Sequence, residues 1–322
     1  MSDQRVVVES ATDPLKRRPR PTEVAIRGFL FVCGAISIAI TAGILWELGK
    51  EALLFFQDER VSIAEFFTGT DWQPQAEVFG ILPLVLGTVL ISIIALVVAV
   101  PIGLASAIYL SEYASQRVRG FFKPVLEVLV GIPTVVYGFF ALTFMTPLLR
   151  SWLGTSTVGF FNIASAGIVV GILIVPLISS LSEDALSAVP DSLRQAAYGL
   201  GASKLEVSLR IVVPAALSGI AAAIVVAMSR AVGETMVVTL AAGAAPRNFA
   251  LGQDPLFGYI LNPFEAAQAM TGYIVITASG DLSYNTIDYN SIFAIGLTLF
   301  FMTLGLNSLS RRFVKRFRQA YE

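Results

Sequence analysis

Histidine is absent from this sequence, and cysteine occurs once, at Cys33. Without histidine there is no Ser-His-Asp relay and no Cys/His zinc site, and one cysteine cannot form an intrachain disulfide. Cys33 lies in an apolar stretch and reads as inert packing. Charge is also scarce. Asp, Glu, Lys and Arg make up 14% of the 322 residues, where a soluble domain carries roughly 25%. The formal net charge is −1, so no basic field draws in a phosphate backbone, which argues against a nucleic-acid partner. A phosphate-cradling Walker A loop is missing too: GLGASK at 199–204 does not satisfy GxxxxGK[ST].

What is abundant is apolar sequence: 55% of residues are hydrophobic and the mean hydropathy is +0.74. A helix needs about 20 such residues to cross about 30 Å of hydrocarbon. Uncharged runs of that order occur at Gly28–Trp46, Val78–Ser111, Val128–Leu149, Ser151–Ser182 and Tyr289–Ser310. LGTSTVGFFN, at the start of the fourth, reads as loop. A sixth, Ile211–Ser229, continues past two charged residues to about Ala245. The expectation is an all-α integral membrane protein with six transmembrane helices. Pro133 in GIPTVVYG is expected to kink the third, because proline removes a backbone hydrogen bond. Gly167 and Gly171 form a GxxxG pair, a signal for close helix packing.

Orientation follows from the cations, which favour inside loops. With the N-terminus inside, all but five of the 22 Lys and Arg lie in inside segments; the exceptions are Lys50, Arg60, Arg150, Arg247 and Arg230. Both termini are therefore expected in the cytoplasm. The resulting division is a disordered cytoplasmic tail over 1–24, a first transmembrane helix over 25–56, an extracytoplasmic segment over 57–77, a membrane domain over 78–312 and a basic cytoplasmic end over 313–322. Within the membrane domain, 246–288 is a long extracytoplasmic loop, and EAAQAMTGYIVITA in it suits a short or re-entrant helix. Such lengths are unusual for passive connectors and suggest docking of an external partner. Glu127, after Lys123 and Pro124, reads as an interfacial anchor or as a partner of Arg119 or Lys123.

The longest polar inside stretch spans 182–220. After Pro190, either Asp191 or Ser192 can cap a helix, and Leu193, Arg194, Gln195, Ala196 and Ala197 favour one. Gly199 and Gly201 end it. Ser203 and Glu206 have the spacing of a capping box that starts another helix, and Pro214 falls where that helix meets the membrane. Small residues at Ala196, Ala197 and Gly201 would let another backbone approach closely. The pattern Gln195-Ala196-Ala197, three residues, Gly201, nine residues, Ile211-Val212-Val213-Pro214 resembles the EAA loop of binding-protein-dependent ABC importer permeases, Glu-Ala-Ala-x3-Gly-x9-Ile-x-Leu-Pro. The spacing is kept in full; Gln195 stands for Glu and Val213 for Leu. The resemblance implies the type I importer (MetI-like) permease fold. It also implies a coupling helix over 191–206, with Asp191, Arg194, Gln195, Ala196, Ala197, Gly201, Ala202 and Pro214 serving contact with an ATPase subunit.

The two charges inside the sixth uncharged run are Arg230 and Glu234, in MSRAVGETM. On a continuous helix, residues four apart share a face, so the two could neutralise each other or line one polar cavity, with Gly233 thinning the helix between them. An unpaired charge at mid-bilayer costs about 2.5–3.5 kcal/mol on insertion scales. A forked guanidinium suits a tetrahedral oxyanion, and a nearby glutamate would keep the hold weak enough for release. SRAVGET, LEVLVGIPTVVYGFF (126–140), IYLSEYA (108–114) and the stretch 289–317 resemble the phosphate-specific transport permeases, with MTGYIV (270–275) similar to their C-type subunit. That resemblance implies import of inorganic phosphate across the plasma (inner) membrane. Its implied partners are a homologous A-type permease, an ATPase dimer that binds ATP and magnesium, and an extracytoplasmic phosphate-binding protein. It implies no cofactor in this chain and no catalytic residue, and makes Arg230 and Glu234 pathway residues. Two other readings stay open on the residues alone: a permease for sulfate or molybdate, since a guanidinium binds any of them, and a secondary transporter using Arg230 and Glu234 as a relay.

Overall fold

The computed structural model describes residues 21–280 and 286–317. Its contacts divide the chain into two units, Met1–Glu47 and Leu48–Glu322. Helix α1, Pro21–Gln57, runs through the boundary. Proline suits a first turn, where its missing N–H has no partner to lose, and Glu23 there complements the helix dipole. The helix therefore begins at 21, within the tail expected over 1–24; residues 1–20 of that tail lie outside the described residues. Cys33 is exposed on α1, so the expectation that it is packed does not hold. Its outward position fits a helix whose most apolar window has no buried residue.

In the second unit, α2 (Ile63–Thr68) precedes a two-stranded antiparallel hairpin, β1 (Trp72–Gln73) with β2 (Val78–Phe79), in the register Trp72 to Phe79. This hairpin is the one addition among the described residues to the all-α expectation. Next come α3 (Leu82–Ile108), α4 (Gln116–Val130), α5 (Thr134–Phe140), α6 (Thr146–Leu153) and α7 (Ile163–Ser187). They are followed by α8 (Asp191–Gly199), α9 (Lys204–Glu206), α10 (Val213–Ala215), α11 (Leu217–Val232), α12 (Met236–Ala241), α13 (Met270–Ala278) and α14 (Ile287–Phe317). Residues 313–317 of the expected basic end continue α14, and 318–322 lie outside the described residues. Among the described residues four helices are long and apolar enough to cross a bilayer, and the number rises to six if two bent pairs count as one span each. The first bend, 88°, separates α4 from α5–α6 at Gly131–Pro133, where Pro133 was expected to kink the chain. The second, 69°, separates Lys204–Ala215 from α11 and follows Pro214 directly.

The core is built on α3 and α7. Gly167 meets Ile91 and Ile94, Gly171 meets Ala95 and Val98, and Gly103 meets Ile178. Residue numbers rise together along both helices, so the two run parallel, and α4–α6 make the crossover. A Cβ on Gly171 would lie 2.9 Å from the Ala95 carbonyl oxygen and the Val98 side chain, and one on Gly167 would lie 2.7 Å from Ile94 Cβ. The GxxxG pair is thus a packing surface: without side chains there, the helix backbones approach closely and gain dispersion contacts. Gly171→Val is expected to cost about 1–3 kcal/mol by overpacking. A lower thermal midpoint of the purified chain in detergent would show it; an unchanged midpoint would mean that α3 and α7 separate freely.

At the N-terminal ends of these helices the hairpin seals the core with aromatics. Phe55 packs edge-on to Phe66 and Phe79, and Trp72 packs likewise against Phe66, Phe79 and Tyr273. The segment 246–280 closes over the same end. Arg247 is 5% exposed, and its guanidinium donates to the carbonyl oxygens of Ala266, Tyr259 and Asn262. Burial pushes its pKa below the ordinary arginine value; the carbonyl dipoles replace lost water, so the cation serves as a staple for the loop. Asn248 accepts from the backbone N–H of Trp72 at 2.9 Å, tying loop to hairpin. Beside it, the Arg60 side chain and backbone N–H hold the Asp58 carboxyl down at about 2. A depressed carboxylate stabilises above its unfolded pKa, about 3.9, and that contribution is lost as pH falls through 2.

Candidate functional site

Two groups of residues singled out by sequence occupy different parts of the second unit. The first is the 191–214 element. Pro190 ends the preceding turn with φ −58° and ψ 137°, and α8 begins at Asp191. Neither Asp191 nor Ser192 caps it through a side chain; Asp191 instead accepts from Arg194 at 3.1 Å, favoured where an acid and a base sit three apart. The chain leaves α8 through Gly201, whose φ of +83° is the left-handed conformation that glycine adopts without strain. Ser203 then accepts from the Glu206 N–H, and the Glu206 carboxylate accepts from the Ser203 N–H at 2.9 Å, a complete capping box. Residues 207–212 form a π-helical turn ahead of Pro214, one of several π-helical segments in the chain.

The expected contact residues divide by burial. Asp191, Gln195, Ala196, Gly201 and Pro214 are exposed. Ala197 is not: it is 8% exposed and packs with Leu186, Val189, Val207 and Val212, with Ala202 against the same cluster. Its small size serves packing within this element, since its side of α8 faces the end of α7, and it is not the open docking position expected from the sequence. Arg194 also turns inward. It donates to the carbonyl oxygens of Val189 (2.6 Å) and Leu186 (2.9 Å) and pairs at 3.0 Å with Glu112, whose side chain is 5% exposed. Sequence reading missed Glu112, although it is the lone acid in the quoted IYLSEYA. It also missed Leu200, which is 91% exposed at the tip between α8 and α9.

The second group is Arg230 and Glu234. The helix expected to carry both stops between them. α11 ends at Val232, Gly233 terminates it with φ −86° and ψ 0°, and α12 starts at Met236. The two side chains do not share a helix face, and among the described residues they form no ion pair with each other. Arg230 is exposed in the last turn of α11, where a cation complements the helix dipole. Glu234 is 6% exposed; its carboxylate accepts from the Val237 N–H at 3.5 Å, and its backbone carbonyl accepts from the Thr271 hydroxyl at 2.7 Å. Thr271 lies on α13, the short helix anticipated within 246–288. Ser229 donates to the Asn307 side chain on α14, fixing the turn that bears Arg230. Glu127 is exposed, and Arg119 and Lys123 pair with Glu183 in its place. Among the described residues no group of three or more His, Cys, Asp or Glu could hold a metal.

This geometry fits known proteins. Residues 99–320 match the family described as binding-protein-dependent transport system inner membrane component. The chain is 32% identical over 286 residues to a probable ABC transporter permease protein, YqgH, of Bacillus subtilis, covering 87% of each. It is 30% identical over 304 residues to the phosphate transport system permease protein PstC of Mesorhizobium japonicum, covering 89% of this chain and 86% of that one. Among solved structures it is similar in fold to a chain of the MetNI methionine ABC transporter, inward facing, with TM-score 0.53 and 18% identity over 77% of this chain and all of that one. It is also similar to a chain of a bacterial alginate ABC transporter in complex with an alginate pentasaccharide-bound periplasmic protein, with TM-score 0.62 and 14% identity over 94% and 99%.

Proposed function

Because the chain belongs to the binding-protein-dependent transport system inner membrane components, we propose that it is the permease subunit of an ATP-driven importer of inorganic phosphate. It is a multi-pass membrane protein with the permease fold of ABC importers. The relatives named for phosphate transport support the substrate. The observation that carries the mechanism is the 191–206 element, a capped helix, left-handed glycine and capping box that projects Leu200 beyond the body. A secondary transporter has no use for such a projection. In this reading both termini are cytoplasmic, Leu200 and Ala196 meet a groove of a separate ATPase subunit, and ATP with magnesium binds only there.

A homologous second permease completes the path, and an extracytoplasmic phosphate-binding protein delivers the anion to the face formed by the hairpin and 246–280. Arg230, exposed and with no acid on it among the described residues, presents a charged fork toward the path. Phosphate bears two oxygens that such a fork can hold in parallel. Glu234 lies behind the helix break and shapes the field there. ATP-driven motion enters through α8 and reaches α11 across the bend at Pro214, and alternating access follows. The test is to reconstitute the complete importer and supply phosphate, sulfate or molybdate with the binding protein. Phosphate alone is expected to stimulate ATP hydrolysis; stimulation by sulfate or molybdate in its place would reassign the substrate.

A further inference from the structure

α4 is an odd helix. None of its residues is buried, and it meets α5 at the 88° bend over Gly131–Pro133. Its inward stripe, Val118, Arg119, Lys123 and Leu126, is only half-buried. What holds it is Glu183 near the end of α7. Glu183 is 1% exposed and accepts from the Arg119 guanidinium and, at 2.9 Å, from Lys123 Nζ. Lys123 also reaches Asp184 at 3.0 Å, and Arg119 reaches the Ser187 hydroxyl at 3.1 Å. At the other end of α4, the Tyr137 hydroxyl donates to the Leu129 carbonyl and steadies the bend. The same helix end that holds α4 also holds α8, because Arg194 donates to Leu186, one turn beyond Glu183 on α7.

We propose that Glu183 is a positioning residue that transmits motion of the ATPase-facing element to α4, with Gly131–Pro133 as the pivot. The proposal rests on the importer reading. α8 cannot shift without taking Leu186 and Val189 along, and α7 residues 183–187 move with them as one helical turn. Two cations on a buried carboxylate transmit that displacement because neither separates from it cheaply: an unpaired buried acid loses both its water and its partners. The remaining α4 contacts are too few and too shallow to carry load.

The test uses the assembled importer in proteoliposomes and reads phosphate taken up per ATP hydrolysed. The triple variant Arg119→Gln, Lys123→Gln, Glu183→Gln keeps shape and leaves no buried charge unpaired; the one carboxylate that loses its cation, Asp184, is exposed to solvent. It is expected to assemble and hydrolyse ATP while uptake per ATP falls at least about fivefold, the scale of a modest coupling free energy. A merely structural role would lower uptake and hydrolysis together and leave their ratio alone, so a wild-type ratio overturns the proposal. If the triple variant fails to assemble, Arg119→Gln alone decides, since Lys123 still covers Glu183; a fall in the ratio supports the latch and a wild-type ratio sinks it. Failure of the wild-type complex to couple uptake to ATP at all would count against the importer reading itself.

Discussion

Arg230→Gln is expected to lower phosphate uptake by about 10- to 100-fold, the loss that follows when a charge-assisted hydrogen bond worth about 1.5–3 kcal/mol is replaced by a neutral one. Glutamine keeps length and a donor but has neither the positive charge nor the two parallel N–H groups of a guanidinium. Arg230 is exposed at the end of α11 and has no carboxylate on it among the described residues, so its removal is expected to leave no buried partner stranded and assembly with the other subunits to be normal. Uptake of labelled phosphate by proteoliposomes, beside the yield of intact complex, separates the two effects. Normal uptake would remove Arg230 from the path. Arg230→Lys is expected to fall between, because lysine keeps the charge and loses the fork.

Leu200→Asp is expected to release the ATPase subunit. Leu200 is 91% exposed, and the left-handed Gly201 beside it fixes the direction in which it points. A projecting apolar side chain that fills a partner's pocket carries about 2 kcal/mol or more of binding energy, about thirtyfold in affinity. A buried carboxylate in the same pocket adds a desolvation cost. Within its own chain Leu200 has little packing to lose, so the variant is expected to fold and reach the membrane. Co-purification of the ATPase at wild-type stoichiometry would place the docking contact elsewhere. Ala197 makes a poor probe of docking, because a larger side chain there breaks the cluster with Leu186 and Val207 before any partner is involved.

How much of this was legible in sequence depended on the range of the physics. Span-length apolar runs, the kink at Pro133, the capping box at Ser203 and Glu206 and the close packing at Gly167 and Gly171 are local, set by hydropathy, missing N–H groups, cap spacing or missing side chains. The fold of the family followed from them together with the spacing between Gln195 and Pro214. The break between Arg230 and Glu234 was not legible. A helical period fits MSRAVGETM, and what stabilises the interruption is remote: Thr271, on α13, satisfies the Glu234 carbonyl that the lost helix turn leaves free. Glu112 and Glu183 were invisible as partners of Arg194 and of Arg119 and Lys123, because 82, 64 and 60 residues separate the three pairs in sequence. The inward side of Ala197 depended on where α7 ends. The sequence by itself determined that this chain crosses a membrane, where its proline kinks and the capping box at Ser203 fall, and which polar element carries the family's spacing, since each depends on groups close to one another along the chain. Only the tertiary structure decided which charges pair, which small residues are exposed and which are core, and that Arg230 and Glu234 stand apart, since each depends on elements brought together by the crossover packing of α3 and α7.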